Sequence, residues 1–475
     1  MKPDDLATLR THSLPRVLWI ELTSRCPFKC IFCTRASLRG NGEHMNFETY
    51  RLLIETLIRP RIIRLNYAGE SGHYPRLADA IRLAAATGAE VELVSALASL
   101  NPTRLQAALE SGLNRLTVSL HTLHDNRFNE IYGFSSIAAM HERLQQALSW
   151  RNKSRSRRFA LDLAFVAMNS NLDELPAIAA FAQANNIEVL AVHPLIERSP
   201  LPMGPSAEHA ADGSLEYGFA GNLRTAIETA QAIAPSVQLQ ISSNELHHPP
   251  TSVGSEAIAW PWPLPKEVKL AGCSQDPFET VHILADGSVV PCEVTERESM
   301  GNLHQQSLHS IWHGERYRNF RKAHLQGDHH ACNACIYKTA HRPQAPTTSL
   351  AGASASESQL IRGWHPLDDS NTRWSTAEAA LLLNRPSQAR HFHLSGVLAA
   401  QNEKDGFFEL YLDGKLAYRQ SATPGCQIDL HLELPAGEDT LYAELKCTKA
   451  SSPAALALGR DSRELGFALF EARCS

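Results

Sequence analysis

The sequence is short of several things, and each absence excludes something. None of its apolar runs approaches the roughly eighteen residues needed to cross a bilayer, so no stretch reads as a membrane span. The opening MKPDDLATLR sets two acids beside one lysine with no apolar stretch behind them, which is not the form of a signal peptide. Charge of neither sign dominates: 45 Lys and Arg against 50 Asp and Glu leave a net charge of −5. Nothing global therefore draws the chain to nucleic acid or anionic lipid. No internal repeat is present. Cysteine is scarce, at ten in 475 residues. In a chain that reads as soluble and cytoplasmic, clustered cysteines are more often metal ligands or catalytic groups than disulfides. What is present in quantity is ordinary core material, 43% hydrophobic residues, at a length that suggests two or three domains.

From 17 to 193, short apolar runs (RVLWIEL, IIRLN, VELVS, RLTVSL, FALDLAFVA, EVLAVH) alternate with amphipathic stretches at 47–58, 77–88 and 174–186. Strand and helix repeated six times predict a parallel sheet with helices outside, an open sheet or a barrel. Asn101-Pro102 and Asn171, with Asp173 and Glu174 behind it, signal helix starts; Gly88 and Gly112 mark stops. A further helix is expected near 216–233, with an apolar run at 237–242. In TVHILADGSVVPC (280–292), Asp286-Gly287 between alternating strands predicts a hairpin with a type I′ turn. Beyond a Pro/Ser-rich stretch at 341–358, alternating runs such as FFELYLDGKLAYR and TLYAELKCT predict an antiparallel sandwich. The expected division is an N-terminal segment (1–15), an α/β domain (16–243), a linker (244–265), a small α+β domain (266–340), a second linker (341–358) and a β-sandwich (359–475).

TSRCPFKCIFC places Cys26, Cys30 and Cys33 just after the first strand, the edge where parallel α/β folds put ligands. Pro27 argues against a regular helix, so the segment reads as a folded-back loop presenting three sulfurs. A structural zinc normally takes four ligands; His44 could be the fourth, but Gly40 and Gly42 lie between. A [4Fe–4S] cluster on three thiolates keeps one iron open for a substrate or cofactor.

C-x3-C-x2-C at this place resembles the radical S-adenosylmethionine (SAM) superfamily. Phe32 before the third cysteine matches the aromatic favoured there. Tyr67-Ala68-Gly69-Glu70 at the end of the second strand resembles the family's Gly-Gly-Glu motif, with Ala68 departing from its first glycine. The resemblance implies a partial (β/α)6 barrel and a cluster whose open iron is chelated by SAM, with reductive cleavage to a 5′-deoxyadenosyl radical. It also implies that Glu70 accepts hydrogen bonds from the SAM ammonium, that Gly69 allows close backbone approach, and that Ser119 and Asn169 contact SAM.

A second set, Cys273, Cys292, Cys332 and Cys335, spaced C-x13-G-x4-C and then C-x2-C, suits zinc or an iron–sulfur cluster. With GNLHQQSLHSIWHGERYRNFRKAH between its halves, it resembles the SPASM/Twitch extension of radical SAM enzymes. No cysteine follows until Cys426, which matches the shorter Twitch form with one auxiliary [4Fe–4S] cluster. The resemblance thus implies two [4Fe–4S] clusters, SAM, and a reducing donor such as flavodoxin or ferredoxin.

A closed auxiliary cluster suits electron transfer. The expected reaction is therefore oxidation of a polyol, aminocyclitol or sugar, making the chain a radical SAM oxidoreductase acting on a small carbohydrate-like molecule. His73, His121, His193 and Glu197 are the candidate bases. The alternatives are a peptide maturase forming thioether or carbon–carbon crosslinks, or a redox-neutral sugar epimerase. The maturase is disfavoured by the fifteen or so residues before the first strand, too few for a peptide-recognition domain. The C-terminal region resembles a β-sandwich module of surface-polysaccharide enzymes, and Trp364 and Trp374 could face a sugar or fill the core. The basic RNKSRSRRF (151–159) reads as a solvated loop. His391 and His393 share a strand face but lack a third metal ligand, and His329-His330 stand beside an already complete cysteine set.

Overall fold

The computed structural model describes residues 3–35, 39–134, 136–153, 159–195, 217–241, 269–273, 275–293, 298–327, 329, 332, 338–341, 346–354, 359–368, 370–399, 406–435, 437, 439–448, 450–453 and 463–475. It divides into two compact units, residues 11–341 and residues 1–10 with 342–475.

In the first unit, β1 (Val17–Ile20), β2 (Ile62–Arg64), β3 (Glu90–Ser95), β4 (Arg115–Ser119), β5 (Ala160–Ala167), β6 (Val189–Pro194) and β7 (Gln238–Ile241) lie side by side in chain order, all parallel. The apolar run near 237–242 thus extends the six-strand expectation by a seventh strand. Apart from these, β8 (Lys269–Cys273) pairs antiparallel with β12 (Lys338–His341). β9 (Thr280–Ile283) returns to pair parallel with β1, carrying β10 (Ser288–Val290) and β11 (Gly301–Asn302) antiparallel beyond it. The hairpin that bears Cys292 on its outgoing end is therefore part of the same ten-stranded sheet as the cysteine loop.

Helices pack outside because their apolar residues recur every three or four positions. The helix Phe47–Thr56 starts at Asn46, whose side chain accepts from the Glu48 and Thr49 amides. The helix Pro102–Glu110 has Asn101 at its cap and Pro102 at its first position, as expected. Asn171 differs: its side chain makes no cap bond, and the chain enters the helix Leu175–Ala184 through a 3₁₀ turn, Leu172–Glu174. Gly88 and Gly112 take positive φ, +83° and +112°, past the helices they end.

One register row crosses the sheet: His282, Trp19, Arg64, Glu92 and Arg115 are successive cross-strand partners. The Arg64 guanidinium lies 4.7 Å over the Trp19 ring and binds Glu92, while Arg115 reaches Glu92 and Asp162. His282 stacks on Trp19 at 5.6 Å. Alternation along each strand puts these groups on one face and the aliphatic core on the other.

The β9–β10 turn corrects the type I′ expectation. Gly287 is left-handed (φ +81°), whereas Asp286 is absent from the positive-φ residues and accepts from the Ser288 amide at 2.9 Å. With Gly287 N–H donating to Leu284 O, this is a type I turn closed by a glycine bulge.

The second unit holds β13 (Ser349–Ala351), β14 (Leu360–Trp364), β15 (Arg373–Asn384), β16 (His391–Leu398), β17 (Phe407–Leu412), β18 (Lys415–Ser421), β19 (Gln427–Glu433), β20 (Thr440–Cys447) and β21 (Phe467–Cys474), all antiparallel. β15 pairs with β21 at Arg373–Trp374 and with β20 from Glu378 onward, so one strand serves both layers. Phe392, Phe408 and Phe467 fill the core between them. The helix Pro3–Arg10 belongs to this unit: Leu6 and Leu9 pack on Ile361, Ala380 and Leu382. β13 lies inside the stretch read as a linker.

Candidate active site

The cysteine loop leaves β1 at the C-terminal edge of the sheet and is held from two sides. Lys29 and Ile31 amides donate to Tyr132 O and Ile131 O at 2.8 and 3.0 Å, carbonyls that the end of the helix Asp125–Tyr132 would otherwise leave unpaired. On the other side Ser24 N–H donates to Glu43 O, and Thr23 bridges His44, whose Nδ1 lies 2.8 Å from Thr23 Oγ1. A Cys33 N–H to Cys30 O bond of 3.0 Å folds the loop back. Cys26 and Cys30 are half-buried, Cys33 is exposed, and all three are free thiols.

Burial, reinforced by the Glu70 and Cys33 charges, pushes the Cys26 thiol up to about 11. Burial and the two neighbouring thiols also raise Cys30 well above the ordinary thiol value. Such sulfurs become thiolates only against a strong cation. Three of them on a loop with its backbone hydrogen-bonded fit an iron–sulfur cluster with one iron not bound by protein.

Glu70 is buried and committed to the protein. Its Oε1 accepts from Ser95 Oγ (2.7 Å) and Gly72 N–H (3.1 Å), and its Oε2 from Ala96 N–H (3.0 Å). Burial raises its pKa and these three donors oppose that shift. The carboxylate thus joins the loop after β2 to the end of β3, with roughly one lone-pair site of four left over. Gly69 makes its close approach to protein: a Cβ there would stand 2.0 Å from Thr23 O, and the adjacent Glu70 N–H donates to Arg25 O at 3.0 Å.

His121 is buried, stacked 5.1 Å from Tyr132 and edge-on to Phe32 at 5.0 Å. Its Nδ1 accepts from Val166 N–H at 3.2 Å, which assigns the neutral ring an Nε2–H. Burial, and secondarily the His193 charge, lowers its pKa to about 3; burial alone takes His193 to about 4. Val166 is the register partner of His193, so the two imidazoles flank one residue of β5. His73 lies apart, on the 3₁₀ turn Ser71–His73 that Glu70 caps. Ser119 is half-buried and its carbonyl accepts from Tyr132 Oη at 2.7 Å. Asn169 is exposed in the turn after β5. Glu197 and Cys335 lie outside the described residues, as do 154–158 of the basic stretch.

Two residues that sequence reasoning passed over are wired into this edge. Asn171, read as a helix cap, is fully buried; its Nδ2 donates to His121 O (3.1 Å) and Val166 O (3.0 Å). Glu21, fully buried, accepts from Ala68 N–H and Ala285 N–H at 3.3 and 3.0 Å, joining β1, β2 and β9, with Arg39 3.6 Å away. The available signal was an acid inside the apolar run RVLWIEL.

Of the second set, Cys273 ends β8 opposite Lys338, Cys292 follows β10, and both are half-buried with Cys332. His329 is occupied elsewhere: Nδ1 takes the Cys332 N–H (3.4 Å) and Nε2 faces Glu298 (3.0 Å). Beneath them Arg321 is buried between Trp312 (3.9 Å) and Tyr317 (4.1 Å), donating to Pro277 O and Trp312 O; burial lowers its pKa to about 10. In the second unit, Trp364 Nε1–H donates to Ala380 O and Trp374 Nε1–H to Asp368. Cys447 and Cys474 are buried thiols.

Comparison with known proteins bears on this arrangement. Residues 20–150 match the family model described as the radical SAM superfamily, and 273–336 match SPASM, an iron–sulfur cluster-binding domain. The tungsten-containing aldehyde ferredoxin oxidoreductase cofactor-modifying protein of Pyrococcus furiosus is 21% identical over 345 residues, 68% of this chain and 88% of that one. The PqqA peptide cyclase of Rhodopseudomonas palustris is 24% identical over 184 residues, 38% of this chain; the chain spans only 47% of that relative's length. Streptococcus suis SuiB, solved with its precursor peptide SuiA, shares the fold with TM-score 0.52 at 14% identity, covering 70% of this chain and 73% of SuiB. Iron–sulfur clusters and SAM are the cofactors these domains imply. The chain thus carries a radical SAM domain over residues 20–150 and a SPASM-type iron–sulfur domain over residues 273–336.

Proposed function

We propose that the chain is a radical SAM maturase that removes a hydrogen atom from a peptide substrate, in place of the polyol or sugar that the cysteine count suggested. What supports the peptide is its relatives: the PqqA cyclases are named for a peptide, and SuiB was solved holding one. In this reading Cys26, Cys30 and Cys33 hold the SAM-binding cluster, and Cys273, Cys292, Cys332 and Cys335 an auxiliary one. Bound there, the cluster and SAM supply one-electron cleavage of SAM and with it the power to abstract hydrogen.

The chain's own groups set the conditions. Phe32, within the cysteine loop, packs edge-on against His121, which stacks on Tyr132. His121 presents an N–H, not a lone pair, so it positions an acceptor and does not take a proton. His193 is neutral at pH 7 and is the remaining candidate to accept a proton, although burial makes it a weaker base than free imidazole. Glu70 holds the loop beside the cysteines rigid and offers its remaining lone pair to an ammonium. The one-electron donor is of the flavodoxin or ferredoxin kind.

The test is substrate-stimulated release of 5′-deoxyadenosine by reconstituted protein, using small-molecule and peptide fractions of host extract treated with protease or with periodate. Stimulation abolished by protease and resistant to periodate is expected. Stimulation that survives protease and is destroyed by periodate would return the substrate to the carbohydrate class.

A further inference from the structure

The histidine pair set aside for want of a third ligand finds one across the sheet. In the second unit His393 on β16 is the register partner of His431 on β19, and the rings stack with centroids 4.4 Å apart, 26° from parallel. Asp429 precedes His431 by two residues, so the strand's alternation puts both on one face. Its Oδ1 lies 2.8 Å from His393 Nε2 and 3.5 Å from His431 Nε2. One donor atom from each residue falls within 4.8 Å of the others. Ligands about 2.0–2.1 Å from a tetrahedral zinc stand about 3.3 Å from one another, and the two observed separations bracket that spacing.

The support behind the cluster is also that of a metal centre. A metal-bound imidazole usually directs its other nitrogen at a carboxylate, which fixes the ring. Glu471 Oε2, on β21 at the far side of β16, stands 3.4 Å from His393 Nδ1, near enough to take its N–H on a small turn of the ring though the two are not hydrogen-bonded here. His393 is 12% exposed, whereas Asp429 and His431 are open to solvent at 69% and 67%. The inner ligand is thus set by packing, and the outer two can close on an arriving ion.

We propose that His393, His431 and Asp429 bind one divalent cation of the zinc class, with Glu471 orienting His393 and a fourth position open to water. Imidazole with carboxylate suits zinc, cobalt or nickel over magnesium or calcium. Because β19 is the last strand of its sheet, the ion would clip this edge to β16. The site shares no residue with the peptide reading and stands or falls separately from it.

The experiment uses full-length protein with its clusters reconstituted, incubated with zinc sulfate and freed of loose metal by gel filtration. Zinc per chain is measured beside His431→Ala and Asp429→Asn, both at exposed positions, with iron content as the control for folding and cluster loading. Wild type is expected to hold one more zinc than either variant, with an X-ray absorption edge showing nitrogen and oxygen neighbours and no sulfur. Glu471→Gln should weaken zinc binding 10- to 100-fold. Equal zinc in all three proteins, or sulfur neighbours around the extra ion, would overturn the site.

Discussion

Gly69 shows how one missing side chain builds a site. A Cβ there would overlap Thr23 O at 2.0 Å and Arg25 O at 2.8 Å, both backbone atoms that cannot swing away. Gly69→Ala should therefore cost about 3 kcal/mol and displace the head of the cysteine loop, read as a lower urea midpoint together with reduced iron loading. Glu70→Gln is the companion test. The variant turns an NH₂ toward one of three hydrogens that now meet a carboxylate. A loss of about 1–3 kcal/mol is expected, and unchanged stability would show that the three bonds do not hold the edge. For the cluster, Cys30→Ala should lower reconstituted iron from about eight to about four per chain and abolish 5′-deoxyadenosine release; surviving release would remove the assignment. The motif residues were legible because thiols and a glycine–acid pair are conspicuous. Asn171 was not, because an asparagine ahead of a helix is usually a cap.

At the scale of elements, one dipeptide makes two different turns. Asp286-Gly287 closes a type I turn with a bulge, whereas Asp413-Gly414 has φ of +48° and +76° and joins β17 to β18 as a two-residue type I′ turn. Neither outcome follows from the letters, since the pairing of the flanking strands selects the turn. Nothing lies within 4 Å of a Cβ built on Gly414, so Gly414→Ala should cost only the backbone strain, about 1–2 kcal/mol. A Cβ on Gly287 would meet His304 at 2.9 Å, so Gly287→Ala should cost more. An equal cost in urea melts would mean that His304 simply moves aside.

The register row carries a pH dependence. Burial lowers His282 from 6.5 to about 3. Between those values the unfolded chain takes a proton that the folded chain refuses, so stability falls as pH drops below about 6.5. At pH 5.5 this residue should account for a loss on the order of 1 kcal/mol relative to pH 8. His282→Phe, which can keep the stack on Trp19, should flatten that part of the slope; an unaltered slope would place the titration elsewhere.

For the whole molecule, the sheet order is what brings Cys292 of the second set onto the sheet that carries the first. β9 pairs with β1 across the 259 residues that separate Ile20 from Thr280, so Cys292 and the three-cysteine loop hang from the same ten strands. Removing Cys332 should then affect only one of the two clusters. Cys332→Ala is expected to retain iron at the first site and some SAM cleavage while losing product formation. Undiminished turnover would deny the second cluster any part in the reaction.

The alternation of apolar runs with helical stretches was enough to establish the parallel α/β class and the antiparallel C-terminal unit, and cysteine spacing alone singled out the two candidate sets. Periodicity reports which face of a segment must leave water, and thiols at cluster spacing have few other uses. Sequence spacing does not encode which distant strand becomes a neighbour. Only the tertiary structure could join β9 to β1, send the helix Pro3–Arg10 to the C-terminal unit, bury Glu21 between three strand ends, and set His431 and Asp429 beside His393. Each depends on pairing partners chosen by the burial of whole faces, and that choice is made when the sheets close.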